Sequence, residues 1–395
     1  MPYINDETKA RQDILNLFFT TFNKYVNKDD KNQAFTPDHI TDFMCKITEV
    51  DYNSRVLDPC CGSGAFLVRA LVTARNSCAN LPNKDNIVEK IHKEQIYGIE
   101  ESEKPFGLST TNMLIHGDGN TNIIKANCFD KKSWIKEAKP SVILMNPPYN
   151  AQQILFPTKI IDYIGSKTTK KGEKKIEILK TYSTGAWNKK NGKPVKEDPT
   201  KGLCFVEYIS DCLQEANITN AKLAVLLPMQ CAIANKGIIL KAKENILKNN
   251  TLEAVFTLPP GMFYPGASAN ACCMLFTMGI SHFNTDDGKP NKKTFFGYYK
   301  NDGFIKKKNL GRIELLDTNN NSIWETQILP KWLSLFKNGD VESGLSAKEY
   351  VKADDEWLCE AYMKTDYSTL NETDFQKTLN NYLAYLVKES VVYES

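Results

Sequence analysis

The chain has 395 residues, of which 42% are hydrophobic and 25% charged, with a formal net charge of +3 at pH 7. That is the balance of an ordinary globular protein with one large or two ordinary domains. It excludes a disordered chain, and a polyanion contact spread over the whole surface; any such contact must come from a local patch.

No apolar run reaches the roughly 18 residues of a membrane span. The start, with Asp6 and Glu7, lacks the pattern of a secretion signal, so the expected location is the cytoplasm. Eleven cysteines show no CxxC spacing, so reduced thiols and no metal site are expected.

In chain order, residues 1–33 predict one amphipathic helix around Asp6–Tyr25. Thr36-Pro37 then predicts a helix start, with Thr36 as cap and Pro37 at the first helical position, running to about Val50. Arg55–Asp58 reads as a strand that breaks into Pro59-Cys60-Cys61-Gly62-Ser63-Gly64, and a helix follows from Ala65 to Ser77. Helix Asn86–Lys93, strand Ile96–Glu100, helix Pro105–Ile115 and a strand near Ile123–Lys125 continue the alternation. Val142–Met145 is a buried strand that stops at Asn146-Pro147-Pro148-Tyr149, because proline cannot donate to a ladder.

Residues 150–200 lose hydrophobic periodicity and read as a long basic loop or insertion. Helix 203–216, strand Leu223–Leu227, helix 236–248 and strands Leu252–Leu258 and Cys272–Met278 complete the pattern. Strands alternating with helices imply an α/β fold with a doubly wound, mostly parallel, seven-stranded sheet. A turn-rich stretch at 280–293 predicts a boundary. Beyond it come a strand at Phe295–Tyr299, the basic run Lys306-Lys307-Lys308, and helical pieces at Ile328–Phe336, Ala347–Val351 and Asp374–Val387. The expected organisation is an N-terminal helical segment at 1–33, a catalytic domain at 34–280 and a mostly helical C-terminal region at 281–395.

Open α/β sheets bind ligands at the carboxyl ends of their strands. Three candidate groups sit there: Asp58 before a glycine turn, Glu100, and Asn146 with its amide. Gly62 and Gly64 let a backbone approach a ligand, and Glu100 is placed to bond ribose hydroxyls. The spacing from Asp58 to Glu100 is about twice the ~20 residues of a dinucleotide fold, which argues against NAD. The plainer alternative is that Asp58 caps a helix and Glu100 is solvated. Asn146 offers a carbonyl and an NH2, and Tyr149 a flat face, which suits a planar base held by an exocyclic amine.

Asp58-Pro59-Cys60-Cys61-Gly62-Ser63-Gly64-Ala65-Phe66-Leu67 resembles the S-adenosylmethionine (AdoMet) motif of gamma-class N6-adenine DNA methyltransferases, and Asn146-Pro147-Pro148-Tyr149 resembles their catalytic motif. Phe35-Thr36-Pro37 is similar to their cofactor-tail motif. Asn112–Gly117, Leu258–Phe263 and Asn301–Phe304 narrow the likeness to modification subunits of type I restriction–modification systems, over roughly residues 30–310.

The resemblance implies a Rossmann-like AdoMet site that includes Phe35, Thr36, Asp58, Cys60, Gly62, Gly64, Phe66, Glu100 and Asn146. Thr36 and the Cys60–Gly62 turn would hold the methionine end and Glu100 the ribose. Asn127, or Asp118 nearby, would face the cofactor adenine. The implied reaction is methyl transfer to N6 of a flipped-out adenine, with Asn146 Oδ1 and the Pro147 carbonyl each accepting an N6–H. Tyr149 would stack on the base, and Phe263 or Tyr264 would form the other wall. No histidine base is required.

The lysines of 168–175 and 306–308 are phosphate-contact candidates, although such runs are usually solvated. The implied partners are double-stranded DNA, a separate specificity subunit and a restriction subunit, since no target-recognition domain of ordinary size is legible. Trp357, Tyr362 and Tyr382 are candidate docking residues. The chain departs from the family in its much shorter N-terminal helical region. The alternatives are a methyltransferase of protein glutamine or RNA, because the former share Asn-Pro-Pro-Tyr, and a non-catalytic subunit that binds AdoMet or DNA.

Overall fold

The structure, a computed structural model, describes residues 36–118, 122–149, 198–264, 269–307, 311–367 and 371–388, with the backbone of four two-residue strands between 167 and 194. The helix expected over Asp6–Tyr25, the residue Phe35 and the lysines of 168–175 lie outside the described residues or side chains.

All seven expected strands form: β1 (Val56–Asp58), β2 (Ile96–Glu100), β3 (Asn122–Lys125), β4 (Val142–Met145), β5 (Lys222–Pro228), β6 (Thr251–Thr257) and β7 (Ala271–Thr277). Their order across the sheet is β6-β7-β5-β4-β1-β2-β3. β1 to β5 are mutually parallel, and β7 runs antiparallel between β5 and β6.

Helices cover both faces. On one lie α1 (Asp38–Ile47) and α2 (Ala65–Ser77), with α3 (Lys84–Glu94) and α4 (Glu103–Ile115) beside them. On the other lie α5 (Lys132–Ala138), α6 (Leu203–Glu215), α7 (Met229–Ile233) and α8 (Gly237–Asn249). β4 shows the division. Val142 and Leu144 pack into the core that contains α1 and α2, and Ile143 and Met145 into the core that contains α6 and α8. Side chains alternate across a strand, so a central strand with two covered faces must be apolar throughout, and β4 is buried along its whole length.

Two further strands extend the sheet at its β6 edge, making nine among the described residues. β8 (Thr294–Tyr298) pairs parallel to β6, and β11 (Ser346–Glu349) pairs antiparallel to β8. The region after 280 therefore shares the sheet with the chain before it. The stretch expected as helical at Ala347–Val351 is this edge strand. A five-residue stretch carries no decisive period, and the open edge of β8 supplies the hydrogen bonds. An unanticipated hairpin, β9 (Phe304–Lys307) with β10 (Gly311–Glu314), follows β8. After it come a turn of π-helix at Trp324–Ile328, α9 (Leu329–Asn338) and α10 (Glu372–Lys388). Trp357, expected as a docking residue, is fully buried with its N–H on the Lys352 carbonyl, whereas Tyr382 on α10 is 57% exposed.

A buried ion-pair network ties α1 to the hairpin. Arg312 grips Asp302 with both guanidinium nitrogens at 2.6 Å, and His39 Nε2 lies 2.9 Å from the same carboxylate. The His39 ring stacks on Phe304 at 4.0 Å. Burial opposes the charge on Asp302, but the His39 and Arg312 bonds prevail and hold its carboxyl below the usual range. Removing one partner from a buried pair leaves the other uncompensated, at a cost of about 3–5 kcal/mol. Asp302→Ala is therefore expected to lower unfolding free energy by about that amount in urea titrations. A loss under about 1 kcal/mol, the value of an exposed pair, would contradict it.

Candidate active site

Three neighbouring strands, β4, β1 and β2, end in or beside Asn146, Asp58 and Glu100, so the sheet itself sets these groups side by side. Asp58 is 1% exposed, and its Oδ1 accepts from the Cys60 N–H at 3.1 Å. Burial pushes its carboxyl up to about 8, with the Cys60 N–H pulling the other way and the Glu100 charge adding to the rise. A positive charge placed alongside such a carboxyl would restore its ionised form.

Glu100 Oε2 accepts from the Gly62 N–H at 2.9 Å and Oε1 from the Ser102 N–H at 2.8 Å. Burial raises its pKa against these bonds. A carboxylate has about four acceptor positions, so bonds from backbone N–H groups are compatible with its also accepting from a hydroxyl.

The two glycines do different work. A Cβ on Gly62 would meet nothing within 4 Å, so the turn presents open backbone there. A Cβ on Gly64, at φ +85°, would come within 3.2 Å of Ser109 Cβ, so this glycine serves the approach of α2 to α4 instead. Phe66, expected at the cofactor, is 3% exposed and packs in the core.

The Asn146 amide is oriented from far away in sequence. Its Nδ2 donates to Thr36 Oγ1 at 3.1 Å. Thr36 therefore does not cap α1; the helix opens at Asp38 with Pro37 in the cap position. With the NH2 used inside the protein, Oδ1 is the atom available to accept from an amine. Pro147 is buried and Pro148 exposed.

Pro147 rests on Gly202, where a Cβ would lie 3.1 Å from Pro147 Cγ. The Gly202 turn is shaped by Asp198, whose carboxylate takes the Thr200 and Gly202 N–H groups at 2.8 Å and the Thr200 hydroxyl at 2.7 Å. Sequence reading missed Asp198 and Gly202. The signal was Asp198-Pro199-Thr200 followed by Gly202, hidden at the end of a polar loop.

Tyr149 is half-buried and packs against the α1–α2 core. Its hydroxyl is buried without a hydrogen-bond partner among the described residues. Burial first, then the nearby thiols of Cys272 and Cys231, pushes the phenol well above its ordinary range. The loop after β6 divides its two aromatic candidates: Phe263 is 3% exposed in the core, and Tyr264 is 37% exposed. Only Tyr264 presents a ring to solvent.

Asn127 follows the carboxyl end of β3, but its Oδ1 caps a short turn by accepting from the Phe129 N–H at 3.0 Å. Asp118 precedes β3 and so lies at the opposite edge, near His92 and Arg75. That placement separates it from Asp58 and Glu100 and leaves Asn127 as the candidate at this edge. The edge as a whole can hold a cation at Asp58, a diol at Glu100 and an amine at Asn146.

The chain is 29% identical over 389 residues to the type II restriction enzyme and methyltransferase RM.BcgI of Heyndrickxia coagulans, covering 97% of this chain and 51% of that protein. It is 26% identical over 272 residues to the type I restriction enzyme EcoEI methylase subunit of Escherichia coli, covering 67% of this chain and 44% of that one. It thus spans about half the length of these curated relatives. The fold is like that of the type I restriction-modification system methyltransferase subunit from Streptococcus thermophilus, with TM-score 0.56, 16% identity, and coverage of 85% of this chain and 61% of that one. The family model for N-6 DNA Methylase matches residues 11–385, nearly the whole chain, and the chain belongs to that family.

Proposed function

We propose that the chain is the catalytic part of an AdoMet-dependent DNA methyltransferase that methylates N6 of adenine at specific sites. In this reading it works as the modification subunit of a restriction–modification system. The observation that carries the reading is the Asn146 amide, fixed by Thr36 beside Asp58 and Glu100 at the carboxyl edge of the sheet. Family membership and the names of the relatives support the same chemistry.

AdoMet supplies an electrophilic methyl group on a sulfonium. Asp58 would offset the positive charge of the methionine end, and Glu100 would hold the ribose hydroxyls. Both fit, since a buried carboxyl with a raised pKa lacks a cation and the open Gly62 backbone admits a ligand. Adenine N6 is a poor nucleophile because its lone pair is delocalised into the ring. Asn146 Oδ1 and the Pro147 carbonyl would each accept one N6–H, which draws the amine toward a pyramidal shape and stabilises positive charge as it grows there. Tyr149 and Tyr264 would hold the flipped base between rings, where stacking is worth about 1–3 kcal/mol per base.

A separate specificity subunit would bring the site to its target, and a restriction subunit would complete such a system. α10 supports the subunit reading: Phe375, Leu379 and Leu383 are 59%, 49% and 49% exposed along one amphipathic helix.

The direct test is tritiated-methyl transfer to adenine in plasmid DNA, with and without a specificity subunit encoded beside this chain. Incorporation at N6 is expected, and none under either condition would end the proposal. Asn146→Ala should cut transfer by about 10²–10³-fold, the scale of losing one acceptor aimed at developing charge, with AdoMet affinity retained. Loss of AdoMet binding instead would move Asn146 to a different role. Glu100→Ala should weaken AdoMet binding by about 1.5–3 kcal/mol, and an unchanged Kd in calorimetry would remove the ribose assignment.

The Asp58 carboxyl adds a pH dependence. Its folded pKa, about 8, lies above the ordinary carboxyl value of 3.8, so between those values the folded protein keeps a proton that the unfolded chain releases. Stability of the ligand-free protein should therefore fall as pH rises through that window, and AdoMet affinity should rise toward its upper end. Asp58→Asn should flatten both profiles. A wild-type Kd that does not change with pH would refute the assignment.

A further inference from the structure

We infer that the β9–β10 hairpin is the surface that grips the sugar–phosphate backbone of DNA beside the candidate active site, through Lys306 and Lys307. The inference rests on the DNA-methyltransferase reading above and adds to it the element that holds the duplex.

Position comes first. β6 runs in the same direction as β4, so the loop at 258–264 stands at the same sheet edge as Asn146. The Lys306 side chain crosses that loop. Its Nζ would lie 2.1 Å from a Cβ on Gly261 and sits 5.5 Å from the centroid of the Tyr264 ring. Gly261 itself is called for by its φ of +64°, and its bare backbone leaves room for the lysine. Tyr264 is the exposed aromatic of the candidate base wall, so a cation stands beside it.

Charge comes second. Lys306 and Lys307 have no carboxylate within ion-pair distance among the described residues, and both are exposed. The acid nearest the root of the hairpin, Asp302, is already held by Arg312 and His39. The acid within the hairpin, Glu314, pairs with Phe304 at the end away from the tip. Lys306 is thus seated by an aromatic face, which leaves its positive charge available to an anion.

Rigidity comes third. Asp302 anchors the root of the hairpin to His39, three residues after the Thr36 that orients Asn146. A duplex gripped here is placed in register with the catalytic amide. Successive residues of a strand point to opposite faces, so Lys306 and Lys307 would reach separate phosphates from the two sides of the hairpin, and lysine contacts phosphate as a point charge without reading sequence.

The test uses the full chain with any specificity subunit it requires, and measures KM for a plasmid substrate as a function of salt. Each phosphate contact contributes about 0.9 to the slope of log affinity against log salt. Lys306→Ala with Lys307→Ala should therefore reduce the slope by about 1.8, and the deficit against wild type should shrink about tenfold between roughly 50 and 200 mM salt. Lys306→Arg with Lys307→Arg should restore the slope. AdoMet affinity and melting temperature should be unchanged in both.

An unchanged DNA KM and slope in the alanine variant, with wild-type transfer intact, overturns the hairpin assignment alone. A fall in AdoMet affinity or melting temperature that accounts for the loss also overturns it, because the lysines would then be structural. Absence of DNA methylation by the wild type overturns the functional reading and this inference together.

Discussion

The Asn146 NH2 donates to Thr36 Oγ1 across 110 residues of sequence, and the candidate chemistry depends on that bond. An asparagine amide has two ends of opposite character, and a turn of the side chain would exchange donor for acceptor. The bond to Thr36 holds the amide in place with its NH2 turned inward and Oδ1 left to accept. Thr36 is held in turn because Pro37 fixes the entry to α1, and α1 is pinned by Arg69 to Asp38 and by His39 to Asp302. A second brace acts from below, where Asp198 shapes the turn that seats Pro147 on Gly202. The bonds Asn146–Thr36 and His39–Asp302 and the seat of Pro147 on Gly202 join segments far apart in the chain, so the site is a product of the whole fold rather than of the Asn-Pro-Pro-Tyr motif by itself.

The parts legible in sequence were those governed by local pattern. Apolar runs stopped by Asp58, Glu100 and Pro147 marked the central strands and their carboxyl ends, and the structure sets the three candidate groups on adjacent strands as that pattern requires. The illegible parts depend on contacts that no local pattern carries. Ser346–Glu349 is a strand because β8 has an edge to fill, and its own residues favour no period. Phe263 and Tyr264 are consecutive aromatics, yet one enters the core and the other does not, which is decided by the path of the loop. Asp118 is in reach of the site by sequence distance but lies on the wrong side of β3, a matter of strand direction alone.

Lys243 shows how the later part of the chain supports the same edge. It is fully buried on α8, with its ammonium on the carbonyls of Asp355 at 2.8 Å, Ala234 at 3.3 Å and Ala232 at 3.4 Å, and 4.1 Å from the centroid of the Trp357 ring. Burial lowers its pKa to about 8 against the pull of Asp355 and Asp354. Trp357 also donates its backbone N–H to Ala232 at 3.0 Å. The segment around Trp357 thereby clamps α7, which leaves the carboxyl end of β5 beside Cys231 and the buried Tyr149 hydroxyl. A residue that reads as a docking aromatic is therefore a buried brace on α7.

Tyr149 brings these constraints together. Its hydroxyl points into an interior that offers it no hydrogen bond among the described residues, and an unsatisfied buried polar group costs about 1–3 kcal/mol. Among the described residues, a phenylalanine in its place would lose no hydrogen bond. Burial also keeps the phenol protonated, which rules out a phenolate acting as a base at neutral pH. What Tyr149 can offer is its flat face, beside the amide that Thr36 holds. The chemistry open to the edge is then positioning and electrostatic stabilisation of an amine. For transfer of an already activated methyl group, those are the contributions the protein must make.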